Sequence, residues 1–116
     1  MQYVLLIYSS EKVWDAKTAD EINAVMAEYG SFTESIVKTG NFKAGEELQP
    51  VSAATTVRVR HGKPQVTDGP FAETREQLGG FYLVEAENLD QAIAIASRIP
   101  SAREGCIEVR PVMTRS

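Results

Sequence analysis

The order of apolar patterns along the chain predicts an α+β fold, β-α-β-β-α-β with an antiparallel sheet, the ferredoxin-like plan. Three observations predict it. Tyr3–Tyr8 is apolar on both alternating sets of residues and Phe81–Ala86 largely so, as strands covered on both faces are. Thr55–Arg60 and Ile107–Arg110 instead alternate apolar with charged residues, as half-exposed strands do. Two helical stripes, each behind an N-cap signal, separate these runs. In this plan the first and third strands are central and the second and fourth flank them, which is where the two kinds of run fall.

The chain has 116 residues, one domain spanning 1–116 and long enough to bury a core without disulfide or metal. Its formal net charge of −4 argues against general attraction to nucleic acid or to anionic lipid, so neither is expected as a partner. Cys106 is the single cysteine, which points to a reducing compartment. The apolar run at the start lacks the basic leader of a signal peptide and is too short to span a bilayer. A cytoplasmic location is the expectation.

Ser9–Lys17 is read as a loop anchored by Trp14. Thr18-Ala19-Asp20-Glu21 is a capping box, and Ile22, Val25, Met26, Tyr29, Phe32 and Ile36 follow at helical spacing until Gly40 stops the helix. Asn41–Ser52 is read as irregular. Thr55–Arg60 is read as the second strand, His61-Gly62-Lys63-Pro64 as its turn, and Gln65-Val66-Thr67 as the start of the return. Asn88 caps a second helix with Leu89, Ala92, Ile93, Ala96 and Ile99 on one stripe and Pro100 at its end. Both helices must cover one sheet face. The other face then has an apolar middle edged by Arg58, Arg60, Glu108 and Arg110. A bare apolar face calls for cover, and a second copy packed face to face, with a cavity between the sheets, is the expected homodimer.

The run from Val66 to Tyr82 carries the densest set of turn residues and carboxylates. A plain connection needs two to five residues, and this one takes about a dozen. It is read as the link from a flanking strand to a central one at the mouth of the cavity. Asp68 is a candidate general acid or base there, and equally a candidate Asx-turn. Glu73 and Glu76 would share a face if residues 72–78 form a helical turn, and paired carboxylates can divide acid and base work; a solvated charged surface is the plainer alternative. Arg58, Arg60 and Arg110 can hold an anion or serve solubility and dimer salt bridges. His61 reads as an exposed turn residue and Cys106 as a small packed one. One His and one Cys give no metal-ligand spacing, and no phosphate loop or dinucleotide fingerprint is present, so no cofactor and no metal is expected. Gly80-Phe81-Tyr82-Leu83-Val84 faintly resembles an RNA-binding aromatic platform, but the acidic charge counts against that reading.

Asp68-Gly69-Pro70-Phe71-Ala72-Glu73-Thr74-Arg75-Glu76-Gln77-Leu78-Gly79-Gly80-Phe81-Tyr82 resembles the signature of the DGPF branch of the YCII-related proteins. Met1–Tyr8, Gly45–Pro50 and Glu108–Val112 resemble that branch as well. The resemblance implies a dimeric α+β barrel of ferredoxin-like protomers. Its wider superfamily includes small enzymes acting on cyclic or aromatic oxygenated compounds, and many members of the branch are linked to extracytoplasmic-function sigma factors. Arg75 stands where lysine is usual, which keeps the charge but changes the donors. His61 inherits no role. Two functions are therefore expected to compete. One is a cofactor-independent enzyme using the dimer cavity for proton transfer or elimination on a small-molecule ligand with an oxygenated ring. Its catalytic candidates are Asp68, Glu73 and Glu76, and its substrate-binding candidates Arg58, Arg75, Tyr82 and Phe71. The other is a ligand-sensing or partner-binding module acting with a sigma factor.

Overall fold

The two runs apolar on both faces form the two central strands of one sheet, β1 (Gln2–Ser9) and β5 (Gln77–Glu85), paired antiparallel. The computed structural model describes residues 1–115. Between these strands lie α1 (Glu11–Asp15), α2 (Ala19–Lys38), β2 (Phe42–Glu47), a 3-10 turn at Val51–Ala53, β3 (Thr55–Arg60) and β4 (Lys63–Asp68). After β5 come α3 (Leu89–Ala96), a second 3-10 turn at Pro100–Arg103 and β6 (Cys106–Pro111). The four-stranded sheet has the order β2-β5-β1-β6, with its neighbours antiparallel, and β3 pairs only with β4 in a separate two-stranded ribbon. The α+β class and the ferredoxin-like order hold.

The identity of the second strand differs from the sequence expectation. The flank beside β5 is Phe42–Glu47, within the stretch read as irregular, and Thr55–Arg60 belongs to the ribbon. A glycine, a lysine and two glutamates in six residues hide β2 from any propensity count. Position at the sheet edge tolerates such residues. Two close approaches then fit it to its neighbour: a Cβ on Gly45 would stand 2.9 Å from the Tyr82 ring, and one on Gly80 would stand 2.7 Å from the Glu46 carbonyl oxygen.

Helix boundaries follow the caps. Thr18 and Glu21 exchange both bonds of the capping box, and the Thr18 backbone N–H and hydroxyl hold the Glu21 carboxyl below its ordinary range. Gly40 takes the left-handed conformation, φ 78°, just past the helix end. Asn88 caps α3 by accepting from the Gln91 N–H. The α3 stripe is rotated from the expected one: Ala92, Ile95, Ala96 and Ile99 are buried, while Leu89 and Ile93 are about half exposed. Ser9–Lys17 is not all loop, because Ser10 accepts from the Val13 N–H and starts α1.

Both long helices lie on one sheet face. Tyr3, Leu5 and Ile7 of β1 and Tyr82 and Val84 of β5 pack there with Phe32, Ile36, Ile95 and Ile99. The opposite face is uncovered, so the body is a slab of two layers.

Candidate functional site

The uncovered sheet face has its composition set by strand register. Residues directly opposite in an antiparallel pair share a face. Val4, Leu6 and Tyr8 of β1 therefore lie beside Leu83, Phe81 and Leu78 of β5, all half-buried, in one apolar field. On the β6 side the same rows end in Arg110, Glu108 and Cys106, and on the β2 side in Ala44 and Glu46. The expected apolar middle is present. Of its expected rim, Glu108 and Arg110 are in place, whereas Arg58 and Arg60 stand on the ribbon because Thr55–Arg60 is not a strand of this sheet. Glu46 holds the other edge.

The charged stretch that leads into β5 closes one corner of this face. It contains no helical turn: residues 71–76 are bends and irregular chain, so Glu73 and Glu76 do not stack on a helix face. Glu76 is half-buried and its Oε1 accepts from the Cys106 thiol at 3.6 Å. Glu73 and Arg75 are exposed and make no ion pair among the described residues. Asp68 ends β4 opposite Thr55 and is exposed. The corner after Asp68 is closed without its carboxylate: the Gly69 N–H donates to the Ala54 carbonyl at 2.7 Å, and the Thr56 hydroxyl donates to the Gly69 carbonyl at 2.8 Å. Gly69 itself has φ 98°, the left-handed region.

Phe71 is 79% exposed. Tyr82 points the other way, into the core, edge-on to Phe32 at 5.2 Å, with its hydroxyl 2.7 Å from that of Thr33. Arg58 projects from the ribbon. The structure thus brings Glu76 to the rim of the open face, keeps Asp68, Phe71, Glu73 and Arg75 along the connection outside it, and sends Tyr82 to the opposite side of the sheet.

Three residues that sequence reasoning passed over hold this connection in place. The Gln77 side chain accepts from the Glu11 N–H at 2.9 Å and donates to the Thr74 carbonyl at 2.6 Å. Glu11 in turn accepts from the Val51 N–H at 3.0 Å. The Thr74 hydroxyl donates to the Glu76 carbonyl at 2.5 Å. One chain of bonds ties the turn before the ribbon, the start of α1 and the charged stretch together. Gly79 is the extra residue of a bulge, since Ile7 faces Gly80 and Tyr8 faces Leu78. Its carbonyl accepts from the Leu48 N–H at 2.8 Å. The extra residue puts Leu78 and Phe81, three apart in sequence, on the same open face.

The family model of the YCII-related domain matches residues 1–115. The chain belongs to the YCII-related family. An uncharacterized protein of Rhizobium meliloti (strain 1021) is 39% identical over 114 residues, covering 97% of this chain and 92% of that protein. The YCII-related fold here carries no group of three His, Cys, Asp or Glu placed to hold a metal ion among the described residues. No helix among the described residues is long and apolar enough to cross a membrane.

The Cys106 thiol of this YCII-related chain is pushed up by desolvation and then by the negative charges of Glu76 and Glu108. Only the thiolate reacts, so the site is a poor nucleophile at neutral pH. Replacing Glu76 with Gln removes one of those charges. The pH profile of iodoacetamide alkylation then moves to lower pH, and the rate at pH 8 rises about two- to fivefold. Trapping at several pH values followed by mass spectrometry reads this directly.

Proposed function

We propose that two copies of this chain pack open face to open face and enclose a chamber for a small oxygenated ring compound, on which the protein catalyses proton transfer or elimination without a cofactor. The observation that carries this reading is the uncovered field of Val4, Leu6, Tyr8, Leu78, Phe81 and Leu83, with carboxylates only at its rim. An apolar concavity with few convergent polar groups is the usual character of a small-molecule site. Glu46 and Glu108 border the field but are exposed, whereas Glu76 is half-buried beside Cys106 at its corner, and Glu76 is the carboxylate we assign to exchange a proton with a ligand lying on the field. Asp68 and Glu73 stand farther along the same connection as further acid/base candidates. Arg58 and Arg75 supply mobile cations for an anionic substituent, and Phe71 supplies a ring that can close over a ligand.

The test has two stages. Light scattering at micromolar concentration is expected to give a dimer, and a monomer would remove the basis of the reading. Thermal stability is then screened with benzoate, catechol and a small lactone. A ligand at a hundred times its Kd stabilises by about 2.7 kcal/mol, a shift of several degrees for a domain of this size. Any hit is assayed for turnover, with Glu76→Gln and Asp68→Ala beside the wild type. Loss of about a hundredfold or more in kcat on Glu76→Gln fits a general acid or base. Binding without turnover would make the chain a ligand sensor instead, in keeping with the sigma-factor association that its sequence resemblance implies.

A further inference from the structure

The ribbon of β3 and β4 is the one part of the chain that the open-face reading does not explain. Its two strands pack extensively only on each other. It is joined by the two-residue turn His61-Gly62, both at positive φ (52° and 74°), the type that matches the twist of a hairpin. Register sorts its side chains cleanly. Val57 opposes Val66 and Val59 opposes Pro64 on one face, while Arg58 opposes Gln65 and Arg60 opposes Lys63 on the other. The three valines are 60%, 61% and 67% exposed. The ribbon also stretches the molecule: the radius of gyration is 16.2 Å, against about 13 Å for a compact domain of this length.

A two-stranded hairpin alone is marginally stable in water, and three bare valines on one side make it a poor free appendage. Charge says what covers it. The segment 55–68 carries Arg58, Arg60 and Lys63 against Asp68, a net of +2, whereas the remaining residues carry nine cations against fifteen anions, a net of −6. None of the three arm cations has an ion-pair partner within the chain, and neither has Glu46, Glu76 or Glu108 at the rim of the open face, among the described residues. Area points the same way. From strand spacing and rise, the open sheet face offers a flat footprint of about 400 Å² and the valine face of the ribbon about 200 Å² more. A standard interface takes about 800 Å² from each partner, which the sheet face alone does not approach.

We infer that the ribbon is an arm that lies valine face down on a second copy of this chain, its net positive charge held against that copy's net negative body, with Arg58, Arg60 and Lys63 on the arm's outward face. The inference rests on the face-to-face reading and adds to it: two arms, each laid on the other protomer, hold the dimer together with the paired open faces.

The test uses the full chain with Val57, Val59 and Val66 all changed to Thr, which keeps strand propensity and the cross-strand fit while removing the apolar face. Sedimentation at several concentrations gives the dimer Kd, and hydrogen exchange reads the amides of 55–68. In the wild type these amides are protected, and protection falls on dilution together with the dimer. In the triple variant the Kd rises tenfold or more and the arm exchanges freely, while the amides of β1 and β5 keep their protection. A wild-type dimer with an unprotected arm, or an unchanged Kd in the triple variant, overturns the arm while leaving the face-to-face reading standing. A protected arm in a Leu6→Glu variant that still dimerises supports the arm and overturns the face-to-face reading. A wild-type monomer across the concentration range overturns both.

Discussion

Gly105→Ala is expected to cost about 3 kcal/mol or more of folding stability, whereas Gly30→Ala in α2 is expected to gain up to about 1 kcal/mol. A Cβ on Gly105 would overlap the carbonyl oxygen of Tyr8 and stand 2.9 Å from the Cα of Ser9. Both obstacles are backbone atoms of central strand β1, so no side-chain rotation relieves the clash. The residue also cannot simply swing away, because its N–H donates to the Ser101 carbonyl at 2.8 Å and Cys106 beside it is registered against Tyr8. Relief requires β6 to slide or lift from β1, and either movement breaks ladder bonds along the sheet edge. Gly30 meets nothing within 4 Å and has ordinary helical backbone, so alanine there lowers only the entropy of the unfolded chain. Urea unfolding of both variants at one fixed chain concentration measures the contrast. Equal midpoints for the two variants would contradict the close packing of Gly105 on Tyr8.

Leu5 and Leu6 are neighbours on β1 with opposite fates. Leu5 is 0% exposed under α2 and α3, and Leu5→Ala is expected to cost about 2–5 kcal/mol at any protein concentration. The cost combines lost transfer energy with a cavity that a sheet packed between two helices cannot collapse. Leu6 lies on the open face between Phe81 and Glu108. In a monomer its truncation removes only half-buried methyl groups, worth about 1 kcal/mol or less. In a face-to-face dimer the same truncation strikes the interface centre, so the loss in Tm grows with protein concentration. Thermal melts over a hundredfold range of concentration separate the two residues. A Leu6→Ala effect that does not change with concentration would count against the dimer.

How much of this was legible in the sequence differs between elements for physical reasons. β1 and β5 were legible because a strand covered by helices on one face and facing an apolar field on the other has no polar alternate set. α2 and α3 were legible because capping chemistry sits within four residues of chain. Glu108 and Arg110 on β6 were placed by simple alternation. β2 was not legible, because its pairing rests on what is missing: side chains absent at Gly45 and Gly80 let two backbones approach, and no local pattern encodes a neighbour 33 or more residues away. The same error gave Arg58 and Arg60 to the sheet rim, since alternation reports that one face of a strand is apolar and does not say what lies against it.

The charged stretch from Asp68 to Gly80 divides along the same line. Its turn at Gly69 was visible in the residue types. No helical turn forms over 72–78, because Gln77 is drawn into β5 and its side-chain amide is engaged by Glu11, distant in the chain, and by the Thr74 carbonyl. Local pattern settles the fold class, the caps and which strands are central, since these follow from periodicities of two and 3.6 residues and from contacts within a few residues. Long-range packing sets which strand flanks β5, that the Thr55–Asp68 ribbon stands apart from the sheet, and that Glu76 rather than Asp68 meets the open face. Those outcomes depend on close approaches and hydrogen bonds between segments far apart in the chain, which local pattern does not contain.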